Sequence, residues 1–256
     1  MSSLEGKKII ATCEEEKALK VRNIFAPYGA ETYSFPLIET HEATGNIEEI
    51  RQQFASIQNN DWLIFTSTNG VKFFFHWIKK LKVDFNKQQF NYAVIGEASG
   101  ERLKKEKIEP TYIGYGRSST EFGSELISII GPTPQHILIP TGNMASNHLN
   151  NLLNEKYTCS KMVVYNTSII QSPDPLFMEL LDKDDYDLLF FLSPSAVDGF
   201  FQFAASKYSL KHPRTAAIGP TTEKALLERG VEPLFVPSQP NLKLMAAELE
   251  EYFENN

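Results

Sequence analysis

Two stretches of this chain run from apolar residues straight into hydroxyls. Phe65-Thr66-Ser67-Thr68-Asn69-Gly70-Val71 follows Trp62-Leu63-Ile64, and Phe191-Leu192-Ser193-Pro194-Ser195-Ala196-Val197 follows Leu188-Leu189-Phe190. Each reads as a strand end followed at once by a helix start. Ser, Thr and Asn at such a junction accept from first-turn N–H groups. Where they do not cap, those N–H groups and the hydroxyls are left for an anion, helped by the partial positive charge of the helix start. Other apolar runs end in the same residue types: Thr12, Gly96 with Ser99, Thr141-Gly142-Asn143, Tyr165 with Thr167, and Gly219-Pro220-Thr221-Thr222. Capping accounts for any one of them. The adjacent hydroxyls of Thr221 and Thr222, and the Ser193/Ser195 pair, exceed what a cap uses. None of these ends carries the acid cluster that a magnesium or phospho-receiver site requires. Tyr165 alone among them has a titratable proton, and a phenol ordinarily holds it to about pH 10, so it can donate at neutral pH.

The elements that must position these residues form a repeat. Phe65 to Val71 lies over Phe191 to Val197. Ala93 to Leu103 lies over Ala216 to Leu226, and Lys7 to Thr12 resembles His136 to Thr141. Short apolar runs mark strands at 9–11, 63–65, 93–95, 137–139, 163–165, 188–192 and 216–218. They show little polar alternation, as parallel strands buried on both faces do. Helical stripes follow, such as Leu126, Ile129 and Ile130, or Met245, Leu249 and Phe253. Alternating strand and helix predicts parallel α/β architecture in two similar domains. The repeat alone suggests a sequential division near the turn-rich Gly131 to Gln135.

Composition narrows the classes. The net charge of −7 over 256 residues argues against nucleic acid, which needs a basic face. No run reaches the ~20 apolar residues of a membrane span, and the N-terminus lacks a secretory pattern. Cys13 and Cys159 stand far apart without a paired framework, which predicts a cytoplasmic chain. The histidines, His41, His76, His136, His148 and His212, have no metal-ligand spacing. Gly114-Tyr115-Gly116 lacks the third glycine of a dinucleotide fingerprint. Phe73, Phe74, Phe75 and Trp77 read as core at helical spacing.

Taken together, Val163 to Thr167, Phe190 to Phe200, Ala216 to Leu226, Ile64 to Val71 and Ala93 to Leu103 resemble the uroporphyrinogen-III synthase family, in order and over nearly the whole chain. The resemblance implies two flavodoxin-like α/β domains with an interdomain cleft. It puts 1–36 plus 173–256 in one domain and 40–165 in the other, joined by extended linkers near 37–39 and 166–172. It implies an enzyme that closes the linear tetrapyrrole hydroxymethylbilane to uroporphyrinogen III, with loss of water and inversion of ring D. No cofactor or metal is implied. The substrate carboxylates would meet Thr66, Ser67, Asn69, Ser99, Gly142, Asn143, Ser193, Ser195, Thr221 and Thr222, and Tyr165 would assist departure of the hydroxyl. A monomer is expected, in transient contact with the preceding pathway enzyme. The chain departs from the family pattern at Thr12-Cys13, where many members carry an Arg, and near Gly142, where a basic residue is common. A non-catalytic two-domain clamp for a small polyanion is the alternative reading.

Overall fold

Each apolar run seen in the sequence is a strand in the computed structural model, which describes residues 2–45, 47–115, 119–207 and 213–255. Gly116 and His212 lie outside the described residues. The chain divides into two compact units, Met1–Glu39 with Ser168–Asn256, and Thr40–Thr167.

The first unit holds β1 (Lys8–Thr12), α1 (Glu15–Phe25) and β2 (Glu31–Ser34) from the start of the chain. β3 (Ile38–Glu42) then runs across the division between the units. The second unit continues with α2 (Ile47–Ala55), β4 (Trp62–Phe65), α3 (Thr68–Leu81), β5 (Asn91–Ile95) and α4 (Glu97–Lys105). It is completed by β6 (Tyr112–Gly114), α5 (Ser119–Ile130), β7 (His136–Gly142), α6 (His148–Asn154) and most of β8 (Thr158–Ile169). The chain then returns to the first unit with α7 (Pro175–Asp182), β9 (Leu188–Phe191), α8 (Pro194–Lys207), β10 (Thr215–Ala217), α9 (Pro220–Leu227) and α10 (Leu242–Asn255).

The sheet of the first unit runs β10-β9-β1-β2, with every pair parallel, and Ala216 bridges to Phe235 beyond β10. Counted within the unit, that order is 2-1-3-4-5, the flavodoxin-like arrangement. The second sheet runs β3-β8-β7-β4-β5-β6. Its parallel part, β8-β7-β4-β5-β6, has the same order once β7 is counted first. The repeat therefore places β1 with β7, β9 with β4 and β10 with β5. A sequential division at 131–135 does not describe these sheets, because β1 pairs with β9 and β7 with β4.

Alternate residues of one strand enter different cores. Ile10 joins Phe177, Phe191 and Phe200, while Ile9 and Ala11 join Phe25, Phe190 and Met245. In the second unit, Leu63 and Phe65 pack with Phe74 and Trp77, and Trp62 and Ile64 with Phe122 and Leu126. Burial on both faces is why these strands read as unbroken apolar runs. Of the stripe expected on α5, Leu126 is buried and Ile130 packs against that core, whereas Ile129, in the helix's last turn, is 42% exposed. β3 and β8 are hydrogen-bonded neighbours. Ala43 N–H donates to Val164 O and Ile170 N–H to Leu37 O, a pattern that sets these two segments antiparallel.

Candidate functional site

In sheets of this order, ligands collect at the carboxyl ends of strands where the winding reverses. In the second unit that point lies between β7 and β4. The residues just past these strands, together with the facing part of β8, bring Ser67, Gly142, Asn143 and Tyr165 together.

Ser67 starts α3. Its backbone is extended and its Oγ accepts from Gly70 N–H at 3.0 Å, so the hydroxyl is a true cap. The same oxygen stands 3.3 Å from Tyr165 Oη. The Tyr165 ring stacks on Phe73, with centroids 5.4 Å apart and planes 21° from parallel. Its other neighbour is Gly142, at a β-bulge between β7 and β8. Trp77 Nε1–H donates to Val164 O at 2.9 Å, which fastens α3 to the residue before Tyr165. One helix thus supplies the cap, the stacking ring and the anchor that hold this phenol. Gly70 permits the approach, since a Cβ there would lie 2.9 Å from Pro140 O. Thr66 and Asn69 are half-buried on either side of Ser67.

Asn143 has a different role from that expected of a ligand contact. Its Oδ1 accepts from Thr167 N–H at 2.8 Å, its Nδ2 donates to Thr167 O at 3.3 Å, and its own N–H donates to Tyr165 O. The side-chain amide continues the β7–β8 ladder past the bulge. Lys161 closes the loop beyond it, donating to Ala145 O, Ser146 O and Asn147 Oδ1.

In the first unit the corresponding point lies between β1 and β9. Ser193 Oγ accepts from Ala196 N–H at 3.2 Å and lies 3.1 Å from Ser195 Oγ. Two hydroxyls therefore share one helix start, and the second has a proton or lone pair to offer outward. Across from them, Thr12 is buried and donates to Phe190 O at 3.1 Å, so its hydroxyl belongs to the sheet. Cys13 is buried as well. Burial pushes its thiol up, against a lowering hydrogen bond with Ser34.

The two glycine-led helices differ from the two serine-led ones. Neither Gly96, before α4, nor Gly219, before α9, provides a side-chain cap. Gly96 has φ 73°, a conformation that suits glycine. Ser99 N–H and Thr222 N–H already turn back to Gly96 O and Gly219 O. The hydroxyl-bearing residues Ser99 and Thr222 are buried, at 4% and 1% exposure, so they face the core side of their helices. What α4 directs outward is the first-turn backbone at Glu97 and Ala98. In α9 it is Thr221, which is exposed and follows a proline with no N–H.

Two positioning residues escaped the sequence reading. Phe73 is core, as its helical spacing indicated, but its second role as the stacking partner of Tyr165 was not read. Lys161 lies on a strand in no recognisable motif. Neither carries a local signal, since what each touches is distant in sequence. Of the histidines, His76 Nε2 lies 2.7 Å from Glu42 Oε2 and His148 Nε2 lies 2.8 Å from Thr120 Oγ1. Among the described residues, no three His, Cys, Asp or Glu side chains gather where they could hold a metal ion. No described helix is long and apolar enough to cross a membrane.

Fold and strand ends together define a protein of two flavodoxin-like units whose switch points carry hydroxyl, amide and phenol groups. The sequence model of the family described as uroporphyrinogen-III synthase HemD matches residues 20–247, and the chain belongs to that family of tetrapyrrole-biosynthesis enzymes. It is 28% identical over 241 residues to uroporphyrinogen-III synthase of Chlorobaculum parvum, covering 90% of this chain and 93% of that one. Its fold is similar to a mutant uroporphyrinogen III synthase of Thermus thermophilus, with TM-score 0.66 and 19% identity over 98% of this chain and all of the other. It is also similar to uroporphyrinogen-III synthetase of Helicobacter pylori, with TM-score 0.57 and 18% identity over 95% and 97% of the two chains. Membership in this family does not favour a non-catalytic clamp.

Proposed function

We propose that the chain closes hydroxymethylbilane to uroporphyrinogen III, with Tyr165 as the proton donor and the strand-end groups as carboxylate holders. The family match across residues 20–247 carries the reaction, and the placement of Tyr165 at a switch point supports its role.

The chemistry asks little of the protein in bond breaking. The terminal pyrrole pushes out hydroxide by itself and leaves an azafulvene cation. Tyr165 O–H donates to the departing hydroxyl, which then leaves as water. The substituted carbon of ring D bonds to the azafulvene methylene and becomes a spiro centre. Its old methylene bond to ring C breaks, and the freed methylene bonds to the unsubstituted α-carbon of ring D. The proton lost from that carbon balances the one Tyr165 gave. In solution the linear molecule closes without inversion, so the decisive contribution is orientation. Eight carboxylates give the protein handles for it. The outward groups at Thr66, Asn69, the Ser193/Ser195 pair, Thr221 and the first turn of α4 are suited to them. Ser99, Thr222, Gly142 and Asn143 shape the strand ends and do not grip carboxylates directly. Their side chains are buried, absent or engaged, and the N–H groups of Ser99, Thr222 and Asn143 are already bonded within the chain.

We further propose a cytoplasmic monomer. Cys13 and Cys159 are both free thiols, which suits a reducing compartment. Because the substrate closes wrongly when left in water, a transient contact with the enzyme that releases it shortens its exposure.

The test generates hydroxymethylbilane in situ, adds the protein and separates the type I and type III isomers. Predominant type III is expected. Type I alone, at the uncatalysed rate, rejects the reading.

A further inference from the structure

We propose that Ser67 is a positioning residue for Tyr165, turning the phenol proton outward, and not a carboxylate contact. The inference rests on the donor role given to Tyr165 above.

The argument begins with the valence of one oxygen. Ser67 Oγ has one proton and two lone pairs. Gly70 N–H, at 3.0 Å, takes a lone pair. The start of α3 favours negative charge at its cap. The Ser67 oxygen therefore faces the helix and its proton faces away from it. The neighbour on that side is Tyr165 Oη, at 3.3 Å. This separation is long for two hydroxyls, and such bonds tighten when a reacting complex forms.

The ring itself has little freedom. Phe73 covers one face in a near-parallel stack. Gly142 admits the ring only because it has no side chain: a Cβ there would lie 2.6 Å from Tyr165 Cζ. A phenol O–H stays near its ring plane, so a fixed ring leaves it two orientations. A proton arriving from Ser67 disfavours the orientation aimed at Ser67. The remaining orientation presents the phenol proton as a donor to a partner other than Ser67. Ser193 holds the matching place in the first unit but meets Ser195 Oγ instead of a phenol, so the repeat alone does not produce this arrangement.

Three variants test the assignment: Ser67→Gly, Ser67→Thr and Tyr165→Phe, with the Ser67→Gly/Tyr165→Phe double variant. Glycine preserves a helix start at a cost of a few tenths of a kcal/mol, while removing the hydroxyl. Ser67→Gly is expected to lower kcat about tenfold, the scale of one hydrogen bond. KM should stay within about twofold, with an unchanged melting temperature and a larger share of type I product. Ser67→Thr should restore kcat. In the Tyr165→Phe background, Ser67→Gly should add nothing. A raised KM with unchanged kcat in Ser67→Gly would make Ser67 a substrate contact and overturn the inference. So would an undiminished effect of Ser67→Gly in the double variant. Wild-type turnover by Tyr165→Phe removes the donor role itself, and this inference with it.

Discussion

Gly142 and Tyr165 compete for one volume: a Cβ on residue 142 would stand 2.6 Å from Cε2 and Cζ of the Tyr165 ring and 3.0 Å from its Oη. The glycine is needed there for space, since the strand end in which it lies demands no left-handed backbone. Gly142→Ala must therefore push the ring off Phe73 or shift the bulge. We expect an overpacking loss of about 1–3 kcal/mol in urea unfolding. Turnover should fall at least as far as in Tyr165→Phe. In a Tyr165→Ala background, Gly142→Ala should cost little further stability, because the two side chains no longer overlap. An equal cost of Gly142→Ala in both backgrounds would locate the strain elsewhere.

The two uncapped helix starts predict a charge effect. α4 carries Glu97 in its first turn, exposed beside the N–H groups proposed to hold substrate, whereas α9 has Pro220 at the matching place. Glu97→Gln removes a like charge from the neighbourhood of a carboxylate ligand. KM should fall about two- to fivefold at low salt, with kcat nearly unchanged, since helix-end charge effects amount to about 0.3–1 kcal/mol. The difference should shrink as salt rises. A KM that does not respond would separate α4 from substrate binding.

Acid stability has an identifiable contributor in the first unit. Burial raises the Asp187 carboxyl, but Lys8 N–H at 2.8 Å and Lys7 Nζ at 3.0 Å outweigh it and hold the group below the usual range. A depressed folded value means that stabilisation is present above the unfolded value and is lost as pH falls through the folded one. Asp187→Asn should therefore lower the melting temperature at pH 7 and flatten its decline between about pH 5 and pH 2. Parallel melting curves for the two proteins across that range would argue against this account.

Thiol chemistry should be suppressed in the native state. Burial pushes the Cys159 thiol up to about 12, and raises Cys13 too. The thiolate is the nucleophile, so at pH 8 both should react with iodoacetamide far more slowly than a free cysteine. For Cys159 the thiolate fraction alone slows it roughly a thousandfold. Urea should release both, as intact-mass kinetics would show. Rapid labelling of Cys159 in native protein is the contrary result.

The amino-acid sequence by itself determined the class of fold. Strands such as Ile9-Ile10-Ala11 and Leu63-Ile64-Phe65 were readable because both their faces are buried, and their connections were readable because Ser67 and Ser193 start helices where a strand ends. β6 did not stand out as a strand of a sheet. It is an edge strand of three residues, and an edge needs no apolar run. The residues that collect at the switch points could be nominated by type, since hydroxyl and amide groups at strand ends either cap a helix or face a ligand. What each of them does was decided only by the tertiary structure. Ser67 meets Tyr165 across 98 positions, and Asn143 meets Thr167 across 24. Whether a hydroxyl is free, buried or already bonded depends on such distant neighbours. A local pattern can specify a helix start, but the partner of its cap is chosen by how the sheet is wound.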